Sequence, residues 1–142
     1  MIERNIDLEA AQRVLAAALA LGEQKKLRLS VAVAGRAGDL KAFVRMDGAS
    51  LLSGETARRK AYTVAATGMS TQDFGSILRS EMQKEPELFH GMIGIEGVIA
   101  FAGGVPILLE GERIGAVAVS GGTSAQDQEI AQAAAEVLAR TG

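Results

Sequence analysis

The stretch SVAVAGRAGDLKAFVRM, residues Ser30–Met46, decides the fold class of this 142-residue chain. Its first half is rich in valine and alternates as a half-buried strand does, and its second half repeats apolar residues at every other position. Between the two halves, GRAGD supplies the glycines and the aspartate that turns favour. Because a short turn joins antiparallel strands, the stretch predicts a β-hairpin and not the first strand of a parallel sheet. The second strand is predicted to place four side chains on one face: Leu40, Ala42, Val44 and Met46.

Helix patterns lie on both sides of this hairpin. Asp7 precedes LEAAQRVLAAALAL, in which apolar residues recur at spacings of three and four, and this predicts a capped helix that ends near Gly22. Ser50 or Ser53 is the candidate cap of a helix through GETARRKAYTVAAT, and Thr71 opens a short helix through QDFGSILRSEM. The middle helix has a face of small apolar residues: Ala57, Ala61, Val64 and Ala65.

The second half of the chain returns to a strand pattern. QKEPELFHGMIGIEG, residues 83–97, is predicted to be irregular, and strands are predicted from Val98 onward. Glu110–Glu112 has the composition of a hairpin tip, and Ser124 with Asp127 resembles a capping box at the start of a terminal helix. The order of elements predicts an α+β fold, a central antiparallel sheet flanked by helices, in a single domain over residues 1–142.

Composition excludes several classes of partner. The net charge is −2 and charged residues make up 23% of the chain, so charge attracts neither nucleic acid nor an anionic bilayer. The lack of cysteine excludes disulfides, thiolate metal sites and a cysteine nucleophile. No apolar run approaches the roughly 20 residues of a membrane helix, and the start MIERNIDLEA has no apolar signal region. We therefore expect a cytoplasmic protein without nucleic-acid or membrane partners.

Small side chains are abundant, and they favour self-association. Aromatic residues form only 4% of the chain, whereas 17 residues are glycine. Small residues bury little apolar area each, so a chain of this composition gains by burying further surface against copies of itself. This predicts a homo-oligomer, a dimer or larger.

The charged stretch after the first hairpin is the leading candidate for a ligand site. No phosphate-binding or dinucleotide-binding glycine motif occurs, and a single histidine excludes a multi-histidine metal centre. Two interpretations of the stretch remain open, the solvated surface of a helix and a binding site for an anionic small molecule. Its polar members are Arg45, Asp47, Glu55, Arg58, Arg59, Lys60 and Tyr62.

Other single residues are candidates for more specific chemistry. His90, the only imidazole, is predicted to lie in a loop and is a candidate haem ligand or general base, or simply a surface histidine. Tyr62 is a candidate iron ligand or proton donor, or packs against a neighbour. Gly103 and Gly104 are predicted to form a turn or bulge, with exposed backbone amides for an anion as the alternative.

Several motifs resemble the GlcG/HbpS family, which also includes the C-terminal domain of PduO, over nearly the whole chain. They are SVAVAGRAGDLKAFVRMDGA, ARRKAYTVAA, FAGGVPI and IGAVAVSGGTSAQDQEIAQAAAEVL. The resemblance implies a profilin-like α+β fold and assembly through dimers into larger homo-oligomers. It also implies haem binding in some members and, in others, a place in the metabolism of small organic acids or in cobalamin-dependent diol metabolism.

The first hairpin turn departs from the family pattern. Gly35 stands where an aspartate is common, and Asp39 stands where a histidine is often found. A histidine ligand from that turn is therefore absent. If haem binds, the resemblance leaves His90, Tyr62 or a neutral contact near Lys60 and Thr63 to hold it. Its propionates would then pair with the cations of the charged stretch, Arg45, Arg58, Arg59 or Lys60.

Two functions are consistent with these residues. In the first, a pocket near a subunit interface binds haem or another flat carboxylated ligand. In the second, the pocket of an enzyme binds a small organic acid, which Arg45 or Lys60 holds by its carboxylate. Glu55, His90 or Glu96 then transfers a proton in an isomerisation, hydration or deamination. An accessory subunit that acts only through contacts is a third interpretation.

Overall fold

The computed structural model describes residues 2–140, and for Arg140 the backbone alone. Residues 1, 141 and 142 of the predicted domain lie outside the described part. The described helices and strands follow the chain in this order: α1 Leu8–Gln24, β1 Ser30–Gly35, β2 Leu40–Arg45, α2 Leu51–Thr67, α3 Thr71–Ser80, a 3-10 turn Met82–Lys84, α4 Pro86–Ile93, β3 Gly104–Leu109, β4 Glu112–Ser120, α5 Ser124–Ala135 and α6 Val137–Arg140.

The four strands form one antiparallel sheet in the order β2-β1-β4-β3. Both predicted hairpins are present, and the predicted α+β class is confirmed. Strand β1 is buried along its whole length, not half-buried as its sequence predicts. The physical reason is its position, because β1 lies between β2 and β4 and helices cover both of its faces.

A β-bulge changes the predicted face of one residue in β2. Val33 pairs with Ala42, but Ala34 pairs with Leu40, so the register shifts by one residue between them. Ala42 stays on the face that packs against α1, and Leu40 moves to the opposite face, beside α2. The prediction that Leu40 shares a face with Ala42 is therefore wrong.

The two faces of the sheet carry different layers. Valines and isoleucines of the sheet pack against α1 and α5 in the main core, which includes Val31, Val117 and Ile130. The opposite face meets α2 through a cluster of buried alanines: Ala32, Ala34, Ala57, Ala61 and Ala118. Because alanine extends no further than its methyl group, α2 lies close to the sheet.

Several predicted boundaries are wrong. Residues 83–97 are partly helical, since Pro86 begins α4, a position where its fixed φ favours a helix. The strand predicted from Val98 begins only at Gly104. The capping box of α5 uses Thr123 and Gln126, not Ser124 and Asp127. Asp7 caps α1 as predicted, but the helix continues past Gly22 to Gln24.

Candidate functional site

One cavity brings together many of the predicted site residues. It has a volume of about 260 Å³ and lies between the first hairpin turn, α2 and the segment after α4. The hairpin contributes one wall, α2 contributes the charged and aromatic groups, and residues 96–97 close the third side. The lining residues are Ala34, Gly38, Leu40, Glu55, Arg58, Arg59, Ala61, Tyr62, Glu96 and Gly97.

Small residues and the bulge create the space. The bulge turns Leu40 toward α2, where it lies beside Ala34 in the cavity wall. Gly97 has a φ of +88°, and a Cβ at this position would lie 3.1 Å from Cδ1 of Tyr62. Glycine therefore lets the segment after α4 run directly along the face of the Tyr62 ring.

The charged side of the cavity consists of one carboxylate and two guanidinium groups on α2. Glu55 lies 2.9 Å from Nη1 of Arg58 and 3.9 Å from Nε of Arg59. All three side chains are nearly half exposed, so these contacts are solvent-screened. Glu96 also lines the cavity, so its two arginines share the space with two carboxylates. The Tyr62 side chain lies one turn further along α2 and is 43% exposed. An anion reaching this cavity meets accessible arginines beside an accessible phenol.

Thr63 fixes the position of the segment after α4, which forms the third side of the cavity. The single proton of its buried hydroxyl is shared between the carbonyl groups of Arg59 at 2.8 Å and Gly97 at 3.1 Å, and the oxygen accepts the backbone N–H of Ile99 at 2.9 Å. These bonds fasten residues 97–99 to α2. The structure places Thr63 as a support of the cavity and not among its lining residues.

Lys60 does not belong to the arginine cluster. Its side chain is only 1% exposed, and Nζ donates to the carbonyl of Val119 at 2.8 Å and to Oδ2 of Asp127 at 3.4 Å. Burial lowers the pKa of Lys60 against the opposing effect of Asp127, and burial likewise raises the pKa of Asp127 against Lys60 and two backbone N–H groups. This pair lines a separate cavity of about 290 Å³.

The sequence contained a signal for this buried pair. Position 60 is three residues after Ala57 and four before Val64, so it lies on the small-residue face that packs on the sheet. Asp127 similarly precedes Ile130 and Ala131 by three and four residues, on the buried face of α5. The charge of Lys60 predicted a place in the cationic cluster and the position of Asp127 predicted a capping box, but helical spacing places both side chains inside.

The remaining candidates lie elsewhere. Arg45 and Asp47 line a wider depression of about 640 Å³ beside the end of α1. His90 is exposed on α4, not in a loop as predicted, and it does not line the 260 Å³ cavity. The backbone N–H groups of Gly103 and Gly104 already donate to Gln128 and Thr71, so neither remains for an anion.

Two properties of the described residues concern metal binding and membrane insertion. Within residues 2–140, no group of three or more histidine, aspartate or glutamate side chains lies close enough together to hold a metal ion. None of the helices described here has both the length and the apolar character needed to cross a membrane.

The fold and the cavity can be compared with known proteins. The family model described as "Haem degrading protein HbpS-like" matches residues 6–136. This chain belongs to the HbpS-like family. The resemblance seen in the sequence motifs is therefore confirmed.

Two relatives in sequence differ greatly in length. The chain is 30% identical over 130 residues to an uncharacterized 15.0 kDa protein from the dhaT-dhaS intergenic region of Citrobacter freundii, covering 91% of this chain and 89% of that protein. It is 28% identical over 131 residues to the corrinoid adenosyltransferase PduO of Citrobacter freundii. That match covers 92% of this chain but only 38% of PduO.

Two solved structures share the HbpS-like fold over nearly their whole length. The crystal structure of HbpS superposes with a TM-score of 0.84 at 31% identity, covering 97% of this chain and 93% of HbpS. A crystal structure of a complex between PduOC and haem superposes with a TM-score of 0.81 at 27% identity. That match covers 92% of this chain and 93% of PduOC.

Proposed function

We propose that this protein binds haem, or another flat carboxylated molecule, in the 260 Å³ cavity between the first hairpin and α2. The observation that carries the proposal is the meeting of Arg58, Arg59 and Tyr62 in a cavity that also has a small and apolar wall, formed by Ala34, Leu40 and Ala61. A structural relative, PduOC, binds haem. Family membership adds the description "haem degrading", which concerns the family's name-giving protein.

The cavity residues fit the chemical parts of haem. Arg58 and Arg59 are half exposed and suited to charge-assisted hydrogen bonds with propionates. Small or apolar side chains at Ala34, Leu40 and Ala61 offer a wall for a flat ring. Bound haem would supply a redox-active iron, and Tyr62 is the cavity side chain with an oxygen suited to ligate it.

The first hairpin turn supports Tyr62 over a ligand from the turn itself. Gly38 lines the cavity, but the Asp39 carboxylate folds back toward Gly35 and lies 4.0 Å from Nζ of Lys41. A Cβ at Gly35 would lie 2.5 Å from Oδ1 of Asp39, so glycine makes the space that this carboxylate occupies. The two departures from the family pattern therefore depend on each other.

The cavity of one chain is too small to enclose haem. Cavities for drug-sized ligands measure about 300 to 1,000 Å³, and this one measures about 260 Å³. Its rim is exposed at Leu40 and Tyr62. We propose that a second copy of the chain covers this rim, which places the site near a subunit interface in a homo-oligomer.

The same volume favours a second candidate function. A small organic acid fits within one chain, with Arg58 and Arg59 as its carboxylate clamp and Glu96 as the group that transfers a proton. Glu55 is less suited to that role, because it already pairs with Arg58 at 2.9 Å.

Titration with hemin tests the haem proposal. The purified protein is expected to give a saturable Soret band, and Tyr62→Phe is expected to shift or abolish it by removing the phenol oxygen. His90→Ala is the matched control, since His90 does not line the cavity. If the wild type gives no saturable band, the haem proposal is overturned. If His90→Ala loses the band and Tyr62→Phe keeps it, the assignment of Tyr62 is wrong.

A further inference from the structure

We propose that Lys60 is a carbonyl-reactive amine, and that the 290 Å³ cavity it lines with Asp127 takes a small hydroxylated aldehyde or ketone as a reversible imine. This site lies on a different surface from the haem cavity and shares no lining residue with it. The two proposals can therefore be tested independently of each other.

The surroundings of Nζ hold the amine in one place. It donates to the Val119 carbonyl at 2.8 Å, approaches Oδ2 of Asp127 at 3.4 Å and lies 5.1 Å from the centre of the Phe101 ring. Gly103 lies directly beside it, since a Cβ there would be 2.5 Å from Nζ. One carboxylate, one carbonyl and one ring face thus surround a desolvated amine.

Phe101 is the group that separates the amine from solvent. Its side chain is 48% exposed and forms the outer wall of the cavity, whereas Lys60 beneath it is 1% exposed. An exposed ring can change rotamer without disturbing the core. Rotation of Phe101 would open a path from the cavity to Nζ.

The electrostatics of the pair favour the reactive protonation states. Burial lowers the pKa of Lys60 and raises the pKa of Asp127, so transfer of a proton from Nζ to the carboxylate, which turns the ion pair into a neutral amine beside a carboxylic acid, is easier here than between exposed groups. Only the neutral amine has the lone pair that attacks a carbonyl carbon. Buried lysines serve as Schiff-base nucleophiles for this reason.

The walls indicate the class of carbonyl compound. Hydroxyl groups line the cavity at Ser53, Thr56, Ser120 and Ser124, and their oxygens can accept hydrogen bonds from ligand hydroxyls. Ser53 and Thr56 are fixed by hydrogen bonds to Ser30 and Ser120. A volume of about 290 Å³ suits a compound of a few carbon atoms.

The reaction balances with the two side chains alone. Nζ forms a bond to the carbonyl carbon while Asp127 gives its proton to the carbonyl oxygen and receives one from the nitrogen, which produces a carbinolamine. Asp127 then protonates the hydroxyl, which leaves as water, and takes the remaining N–H proton as the C=N bond forms. The net change is amine plus carbonyl to imine plus water.

Reductive trapping tests this proposal on the native protein. Glycolaldehyde is the probe, sodium cyanoborohydride at pH 7 reduces any imine to a stable amine, and peptide mapping by mass spectrometry locates it. Since the rate follows the fraction of neutral amine, and burial lowers the pKa of Lys60, Lys60 is expected to be modified faster than exposed lysines such as Lys84. Protein unfolded in urea should lose this preference.

Two variants test the reactivity of Lys60 even if the Phe101 ring covers Nζ in the wild type. Phe101→Ala should raise the rate at Lys60 several-fold by uncovering Nζ, and Leu108→Ala, at an equally exposed apolar residue, should leave it unchanged. The proposal is overturned if Lys60 is modified no faster than Lys84 in both the wild type and Phe101→Ala.

Discussion

Lys60 on α2 and Asp127 on α5 form an ion pair that joins the two faces of the sheet. Nζ and Oδ2 are 3.4 Å apart, and the side chains are 1% and 5% exposed. Oδ1 of Asp127 also accepts the backbone N–H of Gly122 at 2.9 Å, which fixes the loop before α5. The pair therefore ties two helices, the loop before α5 and the end of β4 together.

Removing one partner of this pair should destabilise the protein strongly. Lys60→Met leaves a buried carboxyl without its cation, and such changes cost about 3 to 5 kcal/mol. The double variant Lys60→Met/Asp127→Asn should cost less than the sum of the two single variants, because it leaves no unpaired charge. Urea unfolding of all four proteins measures this. Additive costs would show that the two groups do not interact.

The stability contributed by Lys60 should depend on pH. Its pKa is lowered from 10.5, so in the window below pH 10.5 the unfolded chain binds more protons than the folded chain. The free energy of unfolding then rises with pH up to about 10.5. The raised pKa of Asp127 has the opposite effect. Above its ordinary pKa of 3.8 the folded chain binds more protons than the unfolded chain, so the free energy of unfolding falls as the pH rises there.

The same double variant is the control for this pH dependence. We take the free energy of unfolding of the wild type minus that of Lys60→Met/Asp127→Asn, from urea midpoints between pH 7 and 10.5. This difference should become more positive as the pH rises. Other titrating groups cancel in this difference. A difference that stays constant over that range would contradict a lowered pKa for Lys60.

Haem affinity should depend on the two cavity arginines and on salt. Arg58→Gln or Arg59→Gln removes a charge-assisted hydrogen bond worth about 1.5 to 3 kcal/mol, or roughly 10- to 100-fold in Kd. The melting temperature should change little, because exposed pairs contribute about 0 to 1 kcal/mol. Hemin titration at low and physiological salt measures the effect. Lys84→Gln, at an exposed cation outside the cavity, should leave affinity unchanged.

Gly103 should tolerate alanine much less well than Gly111. Both have positive φ, +128° and +79°, but a Cβ at Gly103 would lie 2.5 Å from the Val119 carbonyl oxygen and from Nζ of Lys60. Nothing lies within 4 Å of a Cβ at Gly111. We expect about 1 kcal/mol for Gly111→Ala from backbone strain and about 2 to 5 kcal/mol for Gly103→Ala. Equal losses in thermal unfolding would contradict this contact.

The oligomer predicted from composition should form through an exposed apolar surface. Leu51 and Leu52 at the start of α2 are 73% and 70% exposed, and exposed leucines of this kind favour burial against a partner. We expect light scattering at micromolar concentration to show at least a dimer. Leu51→Gln/Leu52→Gln should shift the mass toward the monomer if this surface is the interface. A monomeric wild type would remove the subunit wall from the haem proposal.

The sequence by itself determined the hairpins, the main helices and the α+β class. These follow from local patterns, since alternation, turn residues and caps such as Asp7 act over a few neighbouring positions. The family motifs also lie in the sequence, and they indicate the HbpS-like family without any knowledge of the fold.

The tertiary structure alone decided which charges meet. The sequence placed Arg45, Arg58, Arg59 and Lys60 in one cluster, yet the fold distributes them over three cavities. A bulge of one residue moved Leu40 into the candidate site, and burial paired Lys60 with Asp127, 67 positions away. Contacts between distant residues depend on how the sheet and helices pack as a whole, and no local pattern of side chains carries that information.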